Sequence, residues 1–243
     1  MSKICLLYPG QGSIKLKGGL RDYSQTVTCA VTLAESLRFM KDNPAEYIGI
    51  GHSLGEFAML TAAGVFTPLQ MCEILDVRTK AMEKACEENP GAMYAIIGIP
   101  PEKVIDACID GVFAVNFNSD VQTVISGEIN AVTAVADNFI KEGVKAVKLD
   151  VRGAFHTPLM KSAAEELRVF MEDKTFGEPE FPLYSNVTGE QFKDFSNLPE
   201  YFYNHMISPV RFTDEIRAVR SDFPDVTFYE PGKTLTGMLK RIK

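Results

Sequence analysis

Gly51, Ser53 and Gly55 form a G-x-S-x-G pattern inside YIGIGHSLGEFAMLTAA, residues 47–63. An apolar run of strand character precedes the serine, and a helix-like run follows it. That context suits a nucleophile elbow: the hydroxyl projects from a sharp turn, and the flanking glycines let neighbouring backbone pass beneath it. The start of the following helix offers free N–H groups and a positive dipole end to a developing oxyanion. The chemistry implied is attack by a serine on an acyl group. The competing explanation is a strand-to-helix turn with a capping serine. A serine nucleophile also needs a base, and the histidines are His52, His156 and His205. Adjacent side chains in extended backbone point apart, which sets aside His52 and leaves His156 and His205. No pair of these histidines has metal-ligand spacing, and no cysteine or carboxylate cluster supports a zinc site, so no metal is expected.

The elements that must position these residues alternate strand and helix as far as residue 90. KICLLY (3–8) reads as a buried strand, followed by the glycine-rich turn Pro9–Ser13. The turn lacks both the G-K-[ST] ending of a phosphate loop and a G-x-G-x-x-G fingerprint. Its backbone is suited instead to approaching a reacting group closely. Residues 27–40 carry a helical apolar stripe: Val27, Ala30, Val31, Leu33, Ala34, Leu37 and Met40. The elbow helix runs to about Ala63, and Thr67-Pro68 opens a longer helix, carrying Arg78, that ends near Asn89-Pro90.

Beyond Pro90 the pattern changes. Strands at 91–98, 112–117, 123–128 and 145–151 enclose helices ending at Cys108 and covering 130–142. The order β-α-β-β-α-β is the ferredoxin-like signature. A helix from Pro158, a strand over 181–186, helices near 198–206 and 210–220, a strand over 226–230 and a last helix complete the chain. The organisation expected is α/β, with a larger domain from 1–90 and 152–243 and a small subdomain, 91–151, inserted into it.

Composition bounds the rest. Apolar content of 46% and charged content of 23% in 243 residues suit an ordinary globular chain with one sizeable core. No apolar run reaches transmembrane length, and the N-terminal one is too short for a signal peptide. No membrane partner and a cytoplasmic location are therefore expected. Cys5, Cys29, Cys72, Cys86 and Cys108 are odd in number and scattered, as buried reduced thiols would be. A net charge of −7 argues against nucleic acid as a partner.

Eight stretches in order then resemble the malonyl-CoA:acyl carrier protein transacylase family and the related acyltransferase domains of polyketide synthases. They are YPGQGS (8–13), GHSLGE (51–56), Arg78–Met82, NFNSDVQTVISG (116–127), GAFHTPLM (153–160), NVTG (186–189), SPVRF (208–212) and PGKTLTGMLKRI (231–242). The resemblance implies a large α/β-hydrolase-like domain carrying a ferredoxin-like subdomain. It implies ping-pong transfer for fatty-acid or polyketide synthesis. Ser53 takes the acyl group from malonyl-CoA as an ester, and the phosphopantetheine thiol of an acyl carrier protein receives it. No bound cofactor is implied. His156 matches the catalytic histidine, and the N–H groups of Gln11 and Leu54 match the oxyanion hole. Arg78 matches the arginine that pairs with the malonyl carboxylate, where a planar guanidinium binds bidentately. Gln25 matches a pocket glutamine. The alternative on the same serine and histidine is an acyl hydrolase that clears carrier proteins.

Four departures from the family pattern stand out. The segment between Ser13 and Gly51 is short. His205 stands where relatives carry Gln or Asn, at a position whose carbonyl orients the catalytic histidine; either its backbone or its side chain would do this here. Arg152 stands four residues before His156, where a small polar residue is usual; it would add positive charge near the cleft mouth or simply lie at the surface. Glu230 replaces a common glycine before Pro231-Gly232.

Overall fold

The computed structural model describes residues 2–15, 21–22 and 24–243. In chain order the first elements are β1 (Lys3–Tyr8), β2 (Ile14–Lys15), β3 (Arg21–Asp22), α1 (Gln25–Asp42), β4 (Glu46–Gly51), α2 (Gly55–Ala62) and α3 (Pro68–Glu88). Next come β5 (Gly91–Ile97), α4 (Pro101–Ala107), β6 (Val112–Ser119), β7 (Gln122–Glu128), α5 (Ile129–Lys141) and β8 (Lys145–Lys148). A 3-10 turn at Pro158–Met160 leads into α6 (Lys161–Met171), then β9 (Leu183–Tyr184), β10 (Gln191–Phe192), α7 (Leu198–Ile207), α8 (Phe212–Asp222), β11 (Thr227–Tyr229) and α9 (Thr234–Leu239).

The chain forms two compact units. Met1–Asp76, Asp173–Ser196 and Asp214–Lys240 make the first; Val77–Glu172, Asn197–Thr213 and Arg241–Lys243 make the second. The second unit therefore holds more than the small sheet and its helices, taking in the C-terminal part of α3 together with α6 and α7.

In the first unit a five-stranded sheet runs in the order β10-β9-β4-β1-β11. Its pairs β9–β4, β4–β1 and β1–β11 are parallel, and β10 closes the edge antiparallel to β9. The last four residues of both β1 and β4 are buried, as central parallel strands covered on both faces require. The strand expected over 181–186 shrinks to Leu183–Tyr184 because the chain turns back at once: Ser185 N–H donates to the Glu190 carbonyl, and Gly189 N–H to that of Ser185. β2, β3 and β10 are two-residue pairings with no periodicity to announce them.

Helix α1 reverses the expected face. Its buried residues are Gln25, Thr28, Cys29, Thr32, Leu33 and Ser36, whereas Val27 and Leu37 are exposed. Of the apolar stripe only Leu33 is buried. Small hydroxyl and thiol side chains let the helix lie close to neighbouring backbone, and the Cys29 thiol donates to the Leu54 carbonyl at 3.4 Å. Residues 16–20 and 23 of the shortened segment lie outside the described residues.

In the second unit the small sheet is antiparallel throughout, in the order β6-β7-β5-β8. With its strands taken in sequence this is the 2-3-1-4 arrangement of the split βαβ. One face is covered by α4 and α5 through Ile96, Val104, Ile125, Val132, Ala136 and Phe139. β8 ends at Lys148, short of the expected residue 151, although Leu149 N–H still reaches the Met93 carbonyl.

Candidate active site

Ser53 stands between β4 and α2 with φ of 51°, left-handed backbone that few non-glycine residues adopt. The chain around it is pressed against the end of β1. His52 N–H donates to the Tyr8 carbonyl at 2.9 Å. A Cβ on Gly55 would lie 1.9 Å from that same carbonyl oxygen, and one on Gly10 would lie 2.8 Å from the His52 carbonyl. Both glycines are therefore obligatory, and the loop holding Gln11 is fixed beside the elbow. Gln11 is exposed in a turn whose next residue, Gly12, has φ of 75°. Leu54 is buried and directly precedes α2. Among the described residues its N–H meets no acceptor, which leaves it available to an oxyanion. Gln25 is buried at the first position of α1, one turn before Cys29.

A buried network lies behind this turn. The Asn186 side-chain carbonyl accepts the Ser53 N–H at 2.6 Å, and its amide donates to the Gly51 carbonyl. The same amide stands 3.1 Å from both carboxyl oxygens of Glu215. The Asn186 backbone N–H donates to Glu56 Oε1 at 2.7 Å. Glu56 and Glu215 are both fully buried. Burial, followed by the neighbouring Glu56 carboxylate, pushes the Glu215 carboxyl well above the usual range.

His156 lies in the second unit and is also left-handed, with φ of 62°. Its turn is locked locally. The Thr157 hydroxyl donates to the Ala154 carbonyl at 2.7 Å and accepts the Leu159 N–H at 3.2 Å, opening the 3-10 turn. The ring Nδ1 is 3.1 Å from the His205 carbonyl and 3.2 Å from the Ser208 carbonyl. An Nδ1–H donor satisfies this contact, and in the neutral ring that tautomer presents Nε2 as the acceptor a general base needs. The carbonyls come from the end of α7 and the residue after it. Val210 then pins the chain to β6, exchanging backbone hydrogen bonds with Val115 at 2.7 Å and Phe117 at 3.0 Å. The His205 ring is buried edge-on to His156, with centroids 5.7 Å apart, and packs against Phe202. Of the two ways His205 was expected to act, the contact at the His156 ring nitrogen is made by its backbone carbonyl. Arg78 is 3% exposed on the part of α3 that belongs to this unit. Arg152 is exposed.

The structure thus groups Ser53, Leu54, the Gln11 loop and Gln25 in one unit, and His156, His205 and Arg78 in the other. Sequence reasoning quoted NVTG and GHSLGE but gave Asn186 and Glu56 no role, and it passed over Glu215. An asparagine just after a short strand was the available signal. Glu230 also gains a role: its carboxylate accepts the N–H groups of Leu235 and Thr236 at 2.9 and 2.7 Å, closing the start of α9.

A family model described as acyl transferase domain matches residues 23–230. Malonyl CoA-acyl carrier protein transacylase of Haemophilus influenzae is 37% identical over 199 residues, 79% of this chain and 64% of that protein. The chain spans 64% of the length of the first curated relatives it matches. The crystal structure of a malonyl-CoA:acyl carrier protein transacylase from Xanthomonas oryzae superposes with a TM-score of 0.91 at 28% identity, covering 100% of this chain and 92% of that one. A structure of a type II PKS acyl-carrier protein in complex with its malonyl-transacylase gives a TM-score of 0.87 at 30% identity, with 99% and 93% coverage.

Proposed function

The chain belongs to the acyl transferase domain family, and from that premise we propose that it moves a malonyl group from malonyl-CoA to the phosphopantetheine thiol of an acyl carrier protein. The observation that carries this is the elbow: a left-handed Ser53 whose own N–H is occupied by Asn186, followed by a Leu54 N–H that meets no acceptor among the described residues. Ser53 Oγ attacks the thioester carbonyl, and His156 Nε2 takes the hydroxyl proton. The oxyanion is held by the N–H groups of Leu54 and Gln11. The tetrahedral adduct collapses to the malonyl-serine ester, and the departing CoA sulfur receives the proton from His156. The carrier thiol then gives its proton to His156 and attacks the ester, and His156 returns that proton to the departing Ser53 Oγ, which regenerates the serine. Arg78 pairs with the malonyl carboxylate, and Gln25 contacts the acyl substrate. No cofactor enters this scheme, since CoA arrives with the acyl group. A cytoplasmic location goes with such chemistry, and the five cysteines are free thiols.

Intact-protein mass spectrometry after brief incubation with malonyl-CoA tests the proposal, with Ser53→Ala as control. A malonyl adduct that requires Ser53 and passes to added carrier protein is the expected result. An adduct lost to water faster than to carrier would replace the transferase with a hydrolase.

A further inference from the structure

Serine nucleophiles on sharp turns must keep a left-handed backbone that an L-residue does not favour, at a cost of about 1–3 kcal/mol. Something has to hold the turn. Here it is a side chain 133 residues away in sequence, Asn186, which follows β9. Its carboxamide bridges both arms of the elbow. The carbonyl takes the Ser53 N–H at 2.6 Å, and the amide donates to the carbonyl of Gly51, the last residue of β4.

The carboxamide is itself held. Glu215 of α8 faces its amide at 3.1 Å, and Glu56 of α2 takes its backbone N–H at 2.7 Å. An asparagine flipped about its last bond would aim N–H at N–H and oxygen at oxygen, so only one orientation satisfies Ser53 and Gly51 together. Asn186 is 1% exposed, and both glutamates are fully buried, so water does not substitute for these bonds. Capturing the Ser53 N–H has a second effect. It removes the nearest competing donor and leaves the Leu54 N–H as the elbow's donor for the oxyanion.

We propose that Asn186 is a positioning residue for acyl transfer, holding Ser53 Oγ and the Leu54 N–H in register by bridging Ser53 N–H and the Gly51 carbonyl, with Glu215 holding its carboxamide and Glu56 its backbone N–H. This rests on the malonyl transfer proposed above. It assigns no bond-making step to Asn186. The contribution is geometric, and displacement of reacting groups by about 1 Å costs on the order of hundredfold in rate.

The test is single-turnover acylation of Asn186→Ala and Asn186→Asp by malonyl-CoA, followed by quenched-flow mass spectrometry. The competent fraction is counted by active-site titration. A generic serine-reactive fluorophosphonate is run in parallel. For Asn186→Ala the acylation rate per competent site should fall about hundredfold, with half-saturation by malonyl-CoA within about threefold of the parent. Asn186→Asp keeps an acceptor for Ser53 N–H and loses the donor to Gly51, and should fall about tenfold. Should the alanine variant fail to fold, the aspartate variant decides alone. Rates per competent site within about threefold of the parent would overturn the proposal, as would a loss that shows only as fewer competent sites. If malonyl-CoA fails to acylate the parent while fluorophosphonate labels Ser53, malonyl transfer falls. The fluorophosphonate rates of the two variants then judge Asn186 by the same criteria.

Discussion

Ser53 and His156 both hold left-handed backbone, at φ of 51° and 62°, in turns of the two different units. The means of holding them differ. Ser53 depends on particular side chains: Asn186 after β9 and Glu215 in α8, both distant in sequence, and Glu56 at the start of α2. His156 depends on its neighbour Thr157 and on main-chain carbonyls at the end of α7. Every residue carries a carbonyl, so the identity at position 205 is free to drift as long as α7 ends in the same place. The elbow has no such latitude, because its brace is written in three particular side chains. The contrast explains how a histidine occupies position 205 without displacing the ring of His156.

Four substitutions sharpen or break this contrast, in order of falling effect. His156→Ala should lower transfer about a thousandfold while the melting temperature holds, since the turn is locked by Thr157. A large loss of stability in calorimetry would mean that the ring, and not the hydroxyl, holds the turn. Arg78→Ala should reduce malonyl transfer about a hundredfold and leave acetyl transfer nearly intact, read from competition between the two thioesters. Equal loss of both would remove Arg78 from carboxylate recognition.

Glu215→Gln addresses the energetic burden of the distant brace. The Glu215 carboxyl is raised by burial and then by Glu56, so it keeps its proton in the fold where the unfolded chain has lost it. The parent's stability is therefore fully present below the ordinary glutamate pKa of about 4.3 and declines as pH rises toward the folded value. The glutamine variant, which has no proton to lose, should match the parent near pH 4 and exceed it by on the order of 1 kcal/mol at pH 8. Denaturant titrations at the two pH values check this, and a constant difference would place an ionised Glu215 in the fold. His205→Gln is the smallest: transfer should stay within about threefold, because a backbone carbonyl meets Nδ1 in either case.

The legible parts of the sequence were those where backbone geometry admits one residue type. Gly55 is forced by the Tyr8 carbonyl, and Gly10 by that of His52, so the elbow and its companion loop could be read directly. The antiparallel subdomain was legible because β5–β8 alternate with amphipathic α4 and α5 at the spacing of the split βαβ. The buried face of α1 was not, since Thr28, Thr32 and Ser36 are polar by type and buried by size. Nor was the role of Asn186 legible, because a lone asparagine declares no partner across more than a hundred residues. Glu230 looked like an arbitrary loop change until its carboxylate was found on the first turn of α9.

The bond between Ser53 N–H and the Asn186 carbonyl also sets how the elbow samples solvent over hours. Loop amides normally trade their protons for deuterium within seconds, whereas this one exchanges only when its bond to the buried Asn186 side chain opens. The Ser53 amide should therefore exchange more slowly in deuterium oxide than its neighbours in the loop, a slow-exchanging point in the middle of a turn.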